Sequence, residues 1–297
     1  MFLKIAYILP SCTISGGAAV VCQHANRLKK RGHHLTLISI LPVTSFDWFP
    51  NQIVDVISFD QAVSNDYDVV VATAWNTSFY LNRLKSTSKV YFVQSDETRF
   101  FSNNSINHFL AGLSYFHNGI GYITEAQWIK QWLFSGFGRT AELIPNGLDE
   151  TIFYPDVPLE KKGNRLRILL EGPIDVPYKG MKNAFAAVED VDAEIWCVSS
   201  FGVPKSNWRC DRFFPGVPMS KMRSIYSSCD ILLKMSEVEG FFGPPLEMMA
   251  CGGVAVVSKV TGYDEYILDE VNALVVDKGD ILGANNALKR IISDANL

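Results

Sequence analysis

The sequence predicts an α/β chain built of two doubly wound units, each a parallel sheet flanked by helices. Three observations carry this. Short apolar runs alternate with helical patterns along almost the whole chain, the signature of βαβ units. The alternation is interrupted once, by turn formers and charge at Pro155, Pro158, Lys161, Lys162 and Gly163. The 297 residues suit two units of roughly 130–150 residues each. The expected organisation is a first domain over 1–150, a linker over 151–163 and a second domain over 164–297.

In the first half, Lys4–Leu9 reads as a strand feeding a glycine-containing turn, Ser11–Gly17. Those letters fit a strand better than a signal peptide, because no small-residue cleavage site follows. Ala18–Lys30 places Val20, Val21, Ala25 and Leu28 at helical spacing and ends in a basic turn before Gly32, as a helix C-terminus should. Leu35–Leu41, Asp68–Ala72, Lys89–Val93 and Gly119–Thr124 read as strands, Glu125–Phe134 as a helix and Glu142–Pro145 as a short strand. Beyond the linker the strands are Leu166–Glu171, Glu194–Val198, Ile231–Lys234, Val254–Val257 and Ala273–Val276. Helices are expected over Asn183–Val188, Lys221–Ser227, Pro245–Cys251, Tyr263–Leu268 and Gly283–Ile292. In such folds ligand chemistry gathers in the crevice at strand ends, and here it is expected in a cleft between the units.

The composition, 48% apolar and 20% charged, is that of a soluble globular protein. A net charge of −4 argues against a nucleic-acid surface, which needs a basic stripe. Residues 1–150 hold 11 basic and 11 acidic side chains, so the acidic excess lies in the second half and any anion site there must be built locally. No segment approaches the ~18 consecutive apolar residues of a membrane span. The cysteines at 12, 22, 197, 210, 229 and 251 show no CxxC pair and read as reduced, mostly buried thiols of a cytoplasmic protein. The five histidines show no metal-ligand spacing, and no metal site is expected.

The stretch richest in chemistry runs Glu239-Gly-Phe-Phe-Gly-Pro-Pro-Leu-Glu247. Pro244 and Pro245 mark a helix start, where proline loses no hydrogen bond. The amino end of a helix carries partial positive charge and N–H groups, which suit a diphosphate. A carboxylate at Glu247, read as lying within the first turn, can grip both hydroxyls of a ribose. Glu239 then faces the sugar beyond the phosphates. Taken alone, the same letters also describe two solvated acids beside a helix start.

Together with two further blocks, this stretch resembles the retaining glycosyltransferases of family 4. That family's signature runs E-G-F-G-x-x-x-x-E-A-M-A-x-G; the chain carries one extra residue in the Phe241–Phe242 pair and Met248 for the alanine. The second block is Leu143-Ile-Pro-Asn-Gly-Leu-Asp149 with Phe153 and Pro155, and the third is Ser15-Gly16-Gly17-Ala18 after the first strand. The three occur in order over nearly the whole chain. The resemblance implies a GT-B fold, two Rossmann-like doubly wound domains facing across a cleft, and transfer of a sugar from a nucleotide-diphosphate sugar to a glycan or lipid-linked acceptor.

It also implies roles. Glu247, Gly243, Pro244 and Leu246 would bind the donor, with Gly16 and Gly17 approaching its phosphates. Lys179, before Gly180, fits the family's lysine and would act on the leaving diphosphate with Lys182 nearby. The arginine usual after the first glycine of the second domain is replaced by Pro173, which follows Gly172. Gln94 stands where many relatives have a catalytic histidine, so Glu239, Lys179 and Gln94 form the implied catalytic set. Asp96 and Glu97 are candidates for acceptor contacts and equally for surface acids at a helix start. The Val93-Gln94-Ser95 segment, followed by Glu97, Phe100 and Phe101, is similar to some bacterial rhamnosyltransferases of this family.

The implied reaction retains anomeric configuration by front-face attack and needs neither metal nor cofactor. The metal-dependent GT-A alternative would need a DxD ending a strand, but Asp66-Tyr67-Asp68 precedes its apolar run and Asp190-Val191-Asp192 lies in a connection. A nucleotide-sugar epimerase shares fold and donor but requires acid/base residues that are not evident. A degenerate GT-B module that binds a nucleotide sugar or a partner without turnover is the non-enzymatic alternative. Phe100, Phe101, Phe109, Tyr115 and Phe116 read either as buried helix packing or as a peripheral membrane or acceptor-lipid surface. Relatives continue into a helix that crosses back onto the first domain. Gly283–Ile292 is that helix, or the chain is part of a larger polypeptide or complex.

Overall fold

A computed structural model describes residues 2–42 and 45–294. The chain divides into two compact units at Asn146/Gly147.

The first unit holds a seven-stranded parallel sheet of β1 (Lys4–Leu9), β2 (His34–Ser39), β3 (Val56–Ser58), β4 (Asp66–Ala72), β5 (Lys85–Val93), β6 (Gly121–Thr124) and β7 (Ala141–Leu143). Its helices are α1 (Gly16–Lys30), α2 (Phe59–Ala62), α3 (Trp75–Ser78), α4 (Ile106–Ser114) and α5 (Gln127–Phe137). The strand order 3-2-1-4-5-6-7 reverses direction between β1 and β4, the switch point of a doubly wound sheet. Five of the six residues of β1 are buried, on both faces, which is why it reads as a continuous apolar run. Helix α1 starts where the Ser15 hydroxyl accepts the Ala18 N–H at 3.2 Å, and ends on Arg27, Lys29 and Lys30, a match to its dipole.

The second unit repeats the plan with six parallel strands: β8 (Arg167–Glu171), β9 (Glu194–Ser199), β10 (Arg212–Pro215), β11 (Ile231–Lys234), β12 (Val254–Ser258) and β13 (Leu274–Val276). They are covered by α6 (Met181–Ala187), α7 (Met219–Ser228), α8 (Gly243–Ala250) and α9 (Ile281–Ser293). The order β10-β9-β8-β11-β12-β13 puts its switch point between β8 and β11. Two apolar clusters fill the layers: one holds Ile168, Leu170, Ile195 and Leu233 with Phe185 and Leu288, the other Leu169, Trp196, Leu232 and Val257 with Tyr226 and Met248.

Four differences from the sequence reading have physical causes. Residues of the expected linker are strapped to the second unit: Phe153 is buried in its core, Asp156 pairs with Arg223, and the Ser227 and Ser228 hydroxyls accept the N–H groups of Asp156 and Leu159. Tyr263–Leu268 is not a helix beyond a single 3-10 turn at Tyr263–Glu265, because the Asn272 side chain takes the Leu268 N–H and donates to the Tyr266 carbonyl. Helix α4 escaped detection because its pattern is inverted. It buries Ala111 and Ser114 while Ile106, Phe109 and Leu113 are exposed, with Phe116 just beyond. Finally, α9 packs on α6 of its own unit, with Ala284 and Leu288 in the core and the Asn285 amide donating to the Ala187 carbonyl at 2.8 Å.

Candidate functional site

In the second unit the carboxyl ends of β8 and β11 carry a cluster of charged side chains. The turn Pro177–Lys179 closes on Gly180, whose φ of +66° lies in the left-handed region. A Cβ there would run into the Met235 carbonyl, so only glycine lets this turn lie against the end of β11. The Glu237 N–H seals the contact by donating to the Tyr178 carbonyl at 2.8 Å. The result places Lys179 Nζ 2.8 Å from Glu239 Oε2.

Glu239 is 8% exposed and its Oε1 is buried without a hydrogen-bond partner among the described residues. Burial by itself would raise its pKa, but the ammonium groups of Lys179 and Lys234, helped by the Ser236 hydroxyl, outweigh that and hold the carboxyl below its ordinary value. Lys234, the last residue of β11, donates to the Glu171 carbonyl at 2.7 Å and pairs with the Glu171 carboxylate across the switch point. Glu247 accepts a hydrogen bond from the buried Tyr226 hydroxyl at 2.9 Å on Oε2. Burial and the Glu171 carboxylate push its pKa up to about 7, against the opposing pull of the Tyr226 bond and Lys234. This pairs two carboxyls pushed in opposite directions, a pattern typical of working sites.

Helix α8 differs from the sequence reading in two respects. It begins at Gly243 with Phe242 as its N-cap, so Glu247 lies beyond the first turn, which holds no acid. Its N–H groups are also depleted. Pro244 and Pro245 have none, and the Gly243 N–H is taken by the Phe241 carbonyl at 3.0 Å. The helix end offers the field of its dipole more than hydrogen-bond donors, which shifts the neutralisation of an anion onto the lysines. Lys182 is exposed on the first turn of α6.

In the first unit, Gly16, Gly17 and Gln94 gather near the carboxyl ends of the central strands. A Cβ on Gly17 would stand 3.1 Å from Gln94 Oε1, whereas one on Gly16 would meet open space. Gln94 donates to the Thr73 carbonyl at 3.0 Å, and its Oε1 is buried without a partner among the described residues. Asp96 accepts from the Thr98 N–H at 3.1 Å as the cap of a 3-10 turn. Glu97 is folded inward: its Oε1 accepts the Trp75 N–H at 2.9 Å and its own N–H donates to the Tyr115 hydroxyl at 2.9 Å. Burial lifts its pKa to about 8, against the Trp75 and Tyr91 bonds. Its carboxyl group therefore ties α3 to the loop after β5, and of the two readings the sequence left open for Glu97, the exposed surface acid does not hold.

Comparison with known proteins bears on this geometry. The family description "Glycosyl transferases group 1" matches residues 211–297. An uncharacterized glycosyltransferase of Methanocaldococcus jannaschii is 24% identical over 183 residues, 59% of this chain. The chain spans half the length of that curated relative. Among solved structures, sucrose-phosphate synthase from Thermosynechococcus elongatus aligns with a TM-score of 0.77 at 16% identity, over 98% of this chain and 90% of that one. The Anabaena protein HepE in complex with UDP and glucose aligns with a TM-score of 0.80 at 15% identity, over 99% and 91%. WaaG, a glycosyltransferase of lipopolysaccharide biosynthesis, gives 0.77 at 14%, over 98% and 91%. The chain has the GT-B fold.

Within this GT-B chain the structure brings Lys179, Glu239, Glu247, Gly243, Pro244 and Leu246 to the carboxyl-end side of the second sheet, and Gly17 and Gln94 together in the first. Three residues of the second site went unweighed in the sequence: Glu171, Lys234 and Tyr226. The signal was present for two of them. Leu166–Glu171 and Ile231–Lys234 are apolar strands that each end in a charge of opposite sign. Tyr226 left none, since its hydroxyl meets Glu247 only through the packing of α7 on α8. The Asp-x-Asp motifs are accounted for structurally: Asp68 accepts the Lys4 N–H at 2.7 Å and Asp190 pairs with Lys289.

Proposed function

We propose that this protein is a glycosyltransferase that takes a sugar from a nucleotide-diphosphate donor held at the β8–β11 switch point of its second unit. The observation that carries the reading is Glu239. It is a buried, ionised carboxylate fixed by Lys179 on one oxygen and left without a partner on the other, beside a helix start and a second carboxyl. A sugar hydroxyl supplies the missing donor to Glu239 Oε1. Glu247 Oε1, the oxygen that Tyr226 leaves open, accepts from the ribose. Lys179 and Lys182, in the field of α8, offset the charge that grows on the departing diphosphate, and no metal is required for that task. The second unit's match to the group 1 transferases and the UDP and glucose bound by HepE support the donor class.

The chemistry in this reading is a front-face displacement with retention. The bond from the anomeric carbon to the diphosphate oxygen breaks, the acceptor oxygen bonds to that carbon on the same face, and the acceptor proton passes to the departing phosphate oxygen. The protein's part is to position the reactants and stabilise charge. The acceptor is a glycan or a lipid-linked glycan, the sugar a hexose or deoxyhexose, and the setting cytoplasmic. The exposed stripe Ile106, Phe109, Leu113 and Phe116, in a stretch from Thr98 to Thr124 that lacks any acidic residue, supports a peripheral contact with a membrane carrying such an acceptor.

A panel of nucleotide sugars screened for thermal stabilisation tests the donor assignment. One of them should stabilise the wild type and lose the effect in Glu247→Ala; stabilisation by none, or unchanged stabilisation in the variant, removes the site. Pro173 in the arginine position favours a second reading, binding without turnover. Release of nucleoside diphosphate from the stabilising donor, unaffected by EDTA, decides for the metal-independent transferase.

A further inference from the structure

Lys234 is 3% exposed on its side chain, at the end of a strand whose other residues, Ile231, Leu232 and Leu233, are all apolar and buried. Two of its three N–H donors go to Glu171, one to the carbonyl and one to the carboxylate. The third has no hydrogen-bond partner among the described residues. A Cβ on Gly172 would stand 3.4 Å from Nζ, so the ammonium packs directly against the Gly172–Pro173 corner. Packing gives no reason to keep such a pair, because apolar residues of similar volume usually serve stability as well or better. The neighbours do give one. The same Cβ on Gly172 would stand 3.8 Å from the Cβ of Lys179, whose ammonium holds Glu239 Oε2 at 2.8 Å, so Lys234 adjoins the Lys179–Glu239 pair, and Glu239 Oε1 is buried without a partner among the described residues. The field of Lys234 favours the ionised form of Glu239 and, less strongly than Glu171 opposes it, that of Glu247.

We infer that Lys234, tethered by Glu171, is a positioning residue of the donor site: from β11 it supplies a fixed positive charge at the Gly172–Pro173 corner, beside Lys179, that keeps Glu239 ionised. What Glu239 and Glu247 bind rests on the function proposed above; the charge relation among the side chains does not. The groups that face one another here are Glu171 from β8, Lys179 from its turn, Glu239 from the loop after β11 and Glu247 from α8. Tyr226 of α7 and Tyr266 stand behind the glutamates.

The test is a 13C titration of glutamate carboxyls in the ligand-free protein, for wild type, Lys234→Met and the double variant Glu171→Leu/Lys234→Met. In Lys234→Met the midpoints of Glu239 and Glu247 should both rise, by about one pH unit, as expected for losing an opposite charge close by. In the double variant Glu239 should stay raised while Glu247 falls back, because Glu171, which pushes Glu247 up, has gone as well. Should the single variant fail to fold, the double leaves no unpaired buried charge and its Glu239 midpoint alone decides. A Glu239 midpoint within about 0.3 unit of wild type in the folded variants overturns the inference.

A second arm measures affinity for the stabilising nucleotide sugar against pH. Lys234→Met should move the pH at which half the affinity is lost upward with the carboxyl midpoints. An unmoved profile over shifted midpoints also overturns the role in donor binding. A wild type that binds no nucleotide sugar condemns the proposed function instead, and the carboxyl titration still decides on Lys234.

Discussion

Replacing Lys179 with methionine keeps the length and apolar stem of the side chain and removes its charge. In the wild type this ammonium satisfies Glu239 Oε2 at 2.8 Å, while Oε1 is already without a partner. The variant therefore leaves a carboxylate that is 8% exposed without a cation in contact, favoured only by the field of Lys234 and the neighbouring Ser236 hydroxyl. Breaking a buried pair by removing one partner costs about 3–5 kcal/mol, and the surviving lysine places this case near the lower end, about 3 kcal/mol at pH 8.

The sign of the pH dependence is the sharper part. The wild-type carboxyl is held below its ordinary 4.5, so its contribution is present above that pH and is lost as pH falls through the folded value. In the variant burial dominates and lifts the carboxyl above 4.5. The folded state then takes up a proton more readily than the unfolded chain, and the stability gap to wild type should be largest at pH 8 and narrow toward pH 5. Urea unfolding followed by 19F NMR of fluorotryptophan at Trp196, buried in the second unit, measures this between pH 5 and 8. A gap that stays constant with pH, or one under about 1 kcal/mol at pH 8, refutes the assignment of Lys179 as the counter-charge of Glu239.

Glu247→Gln should weaken the stabilising nucleotide sugar at least about tenfold, the scale of one lost charge-assisted bond. Because Glu247 is raised to about 7, wild-type stability falls as pH rises from 4.5 through that value, and the variant, spared this loss, should gain relative to wild type from pH 5 to 8 by urea titration. Gly180→Ala should cost about 2–4 kcal/mol, from a left-handed backbone and the collision with the Met235 carbonyl, and lower the melting temperature of the second unit by roughly 5–10 °C in calorimetry. Glu97→Gln keeps an acceptor for the Trp75 N–H and removes a carboxyl raised to about 8; it should stabilise the first unit relative to wild type as pH rises from 5 to 9, and a variant equally stable at both ends contradicts the burial account.

Much of the architecture was written locally in the chain. Many of the buried parallel strands contain apolar runs of three to five residues, and β1 and β11 fall at the residues their letters indicate. What escaped depends on partners distant in sequence. Val56–Ser58 is three residues long and becomes a strand only because β2 is there to pair with it. Helix α4 shows its apolar side outward, so periodicity could not point it at a core. At the site, Lys179 and Glu239 are 60 residues apart, and their meeting is fixed by Gly180 against Met235, a contact no spacing rule contains. Glu97 read equally as an acceptor contact and as a surface acid, because it follows Asp96 at a turn. Only the fold shows that Trp75 and Tyr115 turn it inward.

The fit of Gly180 under the Met235 carbonyl has a consequence for anyone recombining such proteins. The turn that bears Lys179 can be exchanged only for one with glycine at 180, since a side chain there would strike the backbone carbonyl of residue 235, which any loop bearing Glu239 also carries. Chimaeras that keep glycine at 180 should keep the Lys179–Glu239 pair, while those that place any other residue there should lose it.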